Sequence, residues 1–450
     1  MKRVWVGVFF LSWQTAFSQS VSEFVDGIAP DIIEIRQQIH ANPELSNREF
    51  ETAALITEFL TALDIPVRTG IAHTGVVGTI EGGKPGPVVA LRADMDALPV
   101  TEATGFDFAS TKRAEFEGKE VGVSHAAGHD IHIAVQLGVA QTLVARREEL
   151  AGTILLIFQP AEEGAPKGES GGASLMLEEG VFSSIRPQAI FALHAFPSLM
   201  VGQVGHTIGP AFASSDRFDI VINGAPSHGA WPHLSADPVV MAAQAITAIQ
   251  NIRARNLDPR VPAVISIGQV NGGERFDIIP QQVQLSGTVR TYNERIQDFV
   301  EQRLGEILEG VTKSNNGTFS LDYQRVTPPT VNDRDLSGWA LTSLQNTLGV
   351  ENVLASDAVM GAEDFAFFSR EIPGYVFRLG VRAEGVQTGG LHTPNMRADD
   401  SSIAVGIKAM TGLVLDFLDA NATQTPVSPP AAEPVEDTDT PEQPEAQESS

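Results

Sequence analysis

The chain has 450 residues, 42% of them hydrophobic and 19% charged, with no cysteine and a formal net charge of −26. That length exceeds one ordinary core and predicts two domains of a soluble globular protein. The acidic excess argues against nucleic acid or an anionic membrane surface as partner, since both recruit basic patches, and the lack of cysteine rules out a disulfide scaffold.

The N-terminus, MKRVWVGVFFLSWQTAFSQS, has a basic start, an apolar run from Val4 to Trp13 and a small-residue site ending at Ser18. This is the pattern of a secretory signal peptide over residues 1–18, too short to span a bilayer, so an exported protein, periplasmic or extracellular, is expected. Helical periodicity follows in VSEFVDGIAPDIIEIRQQIH and REFETAALITEFLTAL, then short apolar runs in GPVVAL, TILLIF and AIFAL. Runs of that kind read as strands buried on both faces, which makes residues 19–213 and 331–420 one α/β domain with helices over its sheet. Residues 214–330 read differently: strand, helix, strand, strand, helix, strand. That order is the split ferredoxin-like α+β unit, here inserted as a second, smaller domain. From residue 421 to 450 the chain is rich in Pro, Glu, Thr and Ser and holds too little apolar surface to offset its ordering entropy, so a disordered acidic tail is expected.

Open α/β sheets bind ligands beyond the carboxyl ends of their strands. Several apolar runs lead into polar residues of interest: RADMDALP carries Asp94 and Asp96, QPAEEG carries Glu162 and Glu163, HAFP carries His194, and GGLHTP after YVFRLG carries His392. SHAAGHDIHIA, at the start of a helix, adds His125, His129 and His132. Taken singly, each is an ordinary loop or packing residue; together they would converge on one edge of one sheet and point to a metal site. Neighbouring side chains of an extended segment point in opposite directions, so one of Glu162 and Glu163 would hold an ion while the other faces the attacking water. A metal-dependent hydrolase needs that division of labour.

The blocks NPELSNREFETA, ALRADMDALPVTE, SHAAGHDIHIA, FQPAEEGAPKGESGGASLML, LHAFP, APSHGAWPHLSADPV, IPQQVQLSGTVRTYN, MGAEDFAFF and LHTPNM, running in order from about Glu34 to Leu415, resemble one group of metal-dependent amidohydrolases. The group contains auxin-conjugate hydrolases, hippurate hydrolases and N-acyl amino acid amidohydrolases, within the aminoacylase and carboxypeptidase family of co-catalytic metallopeptidases. The resemblance implies a zinc-peptidase-like α/β catalytic domain with an inserted lid that also dimerises. It further implies metal ligands at His129, Glu163, His194 and His392, a general base at Glu162, and Asp96 orienting a ligand. His228 would reach into the partner subunit's site and stabilise the oxyanion, and Arg290 would either grip a substrate carboxylate or form a structural ion pair. Glu363 and Asp364 would support the site, while His125 and His132 would flank it.

Two positions depart from the family pattern. Where the family's His-Ala-Cys-Gly-His-Asp block has a cysteine ligand, this chain has Ala127, whose methyl group binds no metal. Asp277 stands where the family has an asparagine near the substrate, and its charge would oppose a carboxylate. Two histidines, a carboxylate and a water still make a sufficient catalytic zinc site, and nitrogen and oxygen donors also accept Mn²⁺. The expectation is therefore one firmly held divalent metal, Zn or Mn, with a second weak or absent, in an enzyme that cleaves N-acyl amino acids or related small amides. A dipeptidase or carboxypeptidase of the same wider family and a non-catalytic binding protein are the alternatives.

Overall fold

A computed structural model describes residues 19–423; the expected signal peptide and all but the first residues of the tail lie outside them. Eight strands form a mixed sheet in the order 67–71, 75–81, 151–159, 84–94, 189–200, 374–382, 204–206, 353–355. Its four middle strands run parallel to one another. They are the apolar runs of the sequence: Val88 to Asp94 and Ile154 to Gln159 are buried throughout, because helices cover both faces. Helices Val21–Ala41, Phe50–Ala62, His129–Val144, Arg334–Leu348 and Ser402–Ala420 contribute to the larger core. The helix His129–Val144 is buried on nearly every side, so it presents no polar face to water.

Residues 215–327 build a separate four-stranded antiparallel sheet, in the order 263–272, 282–291, 215–223, 318–327, with helices Pro238–Asn251 and Glu294–Ser314 and a core of their own. The strand Ser215–Asn223 alternates buried and less buried positions, and Val300, Leu304 and Leu308 give the second helix one buried stripe. This is the split β-α-β-β-α-β order anticipated for the segment. Where the chain leaves this sheet, the strand Thr330–Asn332 pairs with Gly209–Phe212. Among the described residues, no helix is long and apolar enough to cross a membrane.

Candidate functional site

The strand Lys84–Asp94 delivers Asp96 just past its carboxyl end, and the strand Ala151–Gln159 next to it delivers Glu162 and Glu163. Asp96 binds the turn that follows: its carboxylate accepts from the backbone N–H groups of Glu162 at 3.1 Å and Glu163 at 3.0 Å, and from the Ser46 hydroxyl at 2.7 Å. The two glutamates do not lie in extended chain as expected. Ala161 takes a left-handed φ of 52° and the pair sits in a turn, so the side chains converge instead of pointing apart. Their oxygens lie 3.8 Å and 4.0 Å from His129 Nε2.

His129 is the first residue of its helix. Gly128 before it has φ 90°, and a Cβ there would come within 2.7 Å of the Ala195 side chain, so only glycine lets the helix start this close to the neighbouring strand. The backbone oxygen of Asp96 can only accept, so His129 Nδ1, 2.8 Å away, carries the proton. Nε2 is left as a lone pair, buried and without a hydrogen-bond partner. A buried unpaired nitrogen facing two carboxylates fits a shared cation: ligands bound to one ion at about 2.0–2.2 Å in a tetrahedral site lie roughly 3.3–3.6 Å from one another. Burial opposes a charge on His129, but Asp94, Asp96 and Glu163 outweigh it and raise its pKa to about 10, which measures how strongly this spot favours a cation.

The other two expected donors lie close by, although neither joins His129, Glu162 and Glu163 within one cluster of donor atoms. His392 Nε2 is 3.0 Å from the Glu163 carboxylate. Its backbone lies in the left-handed region at φ 63° and is held by an N–H bond of 2.9 Å to Ala126 O. A residue with a Cβ occupies that region only where its surroundings impose it. The His194 ring is 6.0 Å from that of His129, and its Nδ1 donates to Ala195 O at 3.0 Å, leaving Nε2 as the lone pair. Burial and His132 hold His194 well below the usual histidine pKa, in the neutral form a metal ligand needs. It lies within its strand, not in the loop beyond it.

Asp94 and His132 also lie beside His129, but their donor atoms are already committed. His132 Nε2 accepts the Ala195 N–H at 2.8 Å, so Nδ1 carries the proton toward Asp94; the other Asp94 oxygen takes Arg92 at 2.6 Å. Arg92, fully buried, also bonds Glu363 and Asp364, each at 2.9 Å, and Gln159 at 2.8 Å. The Asp364 N–H in turn reaches Glu162 at 3.4 Å. Burial, followed by Glu363, Glu163 and Asp364, pushes Glu162 well above the usual carboxylate range, the direction a general base near neutral pH requires. Sequence reasoning missed Arg92; an arginine inside the apolar strand VVALRAD was its only signal.

Ala127 is buried two residues before His129 and adds no donor. His125 is buried with both ring nitrogens unpartnered, and burial lowers its pKa to about 4. His40 belongs to another cluster, bonding Asp130 at 2.7 Å and Glu102 at 3.0 Å. The remaining three expected residues lie on the smaller sheet domain. His228 is exposed on a two-residue strand paired with Ile278–Ile279, and Gly229 N–H bonds Asp277 O at 2.8 Å, so His228 and Asp277 are neighbours. The Asp277 carboxylate lies 2.7 Å from Arg275 Nε, close enough for charge pairing though off the N–H line, so its extra charge is balanced locally. Arg290 is half-buried on the strand Gln282–Thr291, near Asp216.

Residues 90–416 match the model of peptidase family M20/M25/M40. Thermostable carboxypeptidase 2 of Saccharolobus solfataricus is 38% identical over 86% of this chain and 95% of its own length. The Arabidopsis thaliana IAA-amino acid hydrolase ILR1-like 2 is 35% identical over 88% of this chain and 87% of its own. The crystal structure of the Bacillus subtilis protein YXEP, a dinuclear metal-binding peptidase of the M20 family, superposes with a TM-score of 0.75 at 33% identity, covering 88% of this chain and 99% of that one. The histidines and carboxylates gathered at the sheet edge are thus carried by a chain that belongs to peptidase family M20/M25/M40 and is a metal-dependent amide hydrolase.

Proposed function

We propose that this hydrolase removes the acyl group from N-acyl amino acids or related small amides, and that it works outside the cytoplasm after loss of residues 1–18. One observation supports the site assignment above others: the unpartnered His129 Nε2 faces Glu163, with His392 on that same carboxylate and Glu162 beside it. His129, Glu163, His194 and His392 would hold the divalent metal. When bound, it polarises the amide carbonyl and lowers the pKa of water. Glu162 takes the proton of the attacking water as oxygen adds to the carbonyl carbon, then returns it to the leaving nitrogen, giving a carboxylic acid and a free amine. Asp96 keeps the glutamate turn and His129 in place through its three accepted bonds and its backbone oxygen.

His228 of a second copy would stabilise the oxyanion, with the smaller domain as the dimer contact. Supporting this, Trp231, Leu234, Phe276 and Ile278 around it are 51–97% exposed, an apolar surface of the kind that marks an interface. Arg290 would add positive charge from that domain. With Ala127 in place of a thiolate, one metal ion per chain is expected to stay bound through gel filtration, Zn or Mn. Elemental analysis beside activity tests this: two retained ions per chain would refute it, and Ala127→Cys should raise the content toward two. The carboxypeptidase among the relatives favours a second reading, cleavage of peptides. Comparing N-acetyl and N-benzoyl amino acids with dipeptides separates them; faster turnover of dipeptides would reject the acyl reading. A secreted chain beginning at Gln19 would support export, and retention of the full-length chain with Met1 in the cytoplasm would oppose it.

A further inference from the structure

Arg378 lies on the strand Gly374–Arg382, in register with His194 on the parallel strand Ala189–Met200. Paired positions on neighbouring strands share a face, so the guanidinium and the imidazole open to the same side of the sheet. The guanidinium carbon is 4.8 Å from the Phe196 ring centre and 5.6 Å from that of Phe212. Those two rings lie 5.7 Å and 6.0 Å from the His194 ring. Arg378 is 7% exposed, and its one hydrogen bond runs from Nη2 to Ala211 O at 3.2 Å.

Among the described residues, no carboxylate forms an ion pair with it, although Asp357 and Tyr292 lie near enough to act on its charge. The other deeply buried arginines differ: Arg92 meets Asp94, Glu363 and Asp364, and Arg36 meets Asp130. A guanidinium offers five donors and keeps its charge in a protein, so a buried one is paired, or awaits an anion. Two aromatic faces cushion the charge without using its N–H groups. Arg290 lies on the smaller domain, near the Asp216 carboxylate, away from the strand that carries His194.

We propose that Arg378, bedded on Phe196 and Phe212, is the anchor for the free carboxylate of the substrate. The inference rests on the acyl amino acid reading, because that substrate carries a carboxylate beside the scissile amide. The planar fork of an arginine matches a carboxylate with two parallel bonds, and a lysine does not reproduce it.

The test compares N-benzoylglycine with N-ethylbenzamide, which keeps the amide and lacks the carboxylate, on the metal-loaded wild type, Arg378→Gln, Arg378→Lys and Arg290→Gln. Wild type should prefer N-benzoylglycine. Arg378→Gln should raise its KM on the order of 10- to 100-fold, the size of a lost charge-assisted bond, with kcat nearly unchanged. N-Ethylbenzamide should be handled as before, and Arg378→Lys should recover part of the loss. Equal losses on both compounds, no preference in wild type, or a carboxylate-selective loss in Arg290→Gln alone would overturn the proposal. The wild-type preference and Arg378→Lys decide the matter if Arg378→Gln does not fold. Calorimetric binding of N-benzoylglycine to Glu162→Gln, with and without Arg378→Gln, needs no turnover. Arg378-dependent binding in an enzyme that cleaves no acyl amino acid would reject the acyl reading and uphold the anchor; Arg378-independent binding would overturn the anchor.

Discussion

At the edge of the central sheet His129, Asp96 and Glu363 are buried at or below 1% exposure, whereas on the smaller sheet domain Phe276 is 97% exposed beside Asp277, and His228 is exposed as well. In the first region most polar atoms are tied to another, and among the few that are not, such as the ring nitrogens of His125, His129 Nε2 is the one that faces Glu162 and Glu163. In the second, the chain presents a histidine, a locally balanced aspartate and apolar side chains to solvent. The contrast teaches that one chain brings His129, Glu162 and Glu163 together by itself, while under the proposed function His228 and its neighbours would act only against a second surface.

The largest expected effect belongs to the first region. Glu162→Gln should cut kcat by about 10²- to 10⁴-fold, the range for a general base, with metal content and melting temperature unchanged. A variant within a factor of ten of wild type would remove Glu162 from the chemistry. Arg92→Met leaves Asp94 and Glu363 buried without their cation and should cost about 3–5 kcal/mol in denaturant unfolding; a loss under about 1 kcal/mol would show that these carboxylates do not depend on it.

The second region should behave in the opposite way. His228→Ala should lower kcat by about 10²- to 10³-fold, as for one oxyanion donor, while leaving unfolding unaltered, since the side chain is exposed. Mixing it with Glu162→Gln sharpens the comparison: if His228 serves a second copy's site, hybrid dimers regain activity, and if they stay inactive it does not. The smallest effect is in pH. Glu162 must be ionised to accept a proton, and its pKa is raised, first by burial and then by Glu363. Activity should therefore fall on acidification through a pKa above the ordinary value of about 4.3. An acid limb of kcat/KM at or below that value would contradict the burial seen here.

Much of this was legible in one dimension. Continuous apolar runs marked the buried parallel strands, and the strand, helix, strand, strand, helix, strand order over 214–330 marked the second sheet, because the periods of burial in strands and helices are local properties of the chain. The donor residues stood out since histidines and paired glutamates after such runs suit a metal. The glutamate turn was misjudged as extended: the Asp96 carboxylate that bends it is 66 and 67 residues away. His132 was expected to flank the site, and the Ala195 N–H on its second nitrogen shows what occupies it there.

The amino-acid order by itself determined the two sheets, because burial in strands and helices follows local period, and it set histidines and carboxylates after the strands, while the thiolate missing at Ala127 came from the family resemblance. Only the tertiary structure decided which nitrogen of His129 is free, that Arg92 joins Asp94 to Glu363, and that Arg378 stands unpaired beside His194. The physical reason is that a hydrogen bond or an ion pair depends on separations of a few ångströms, and these partners lie tens to hundreds of residues apart along the chain.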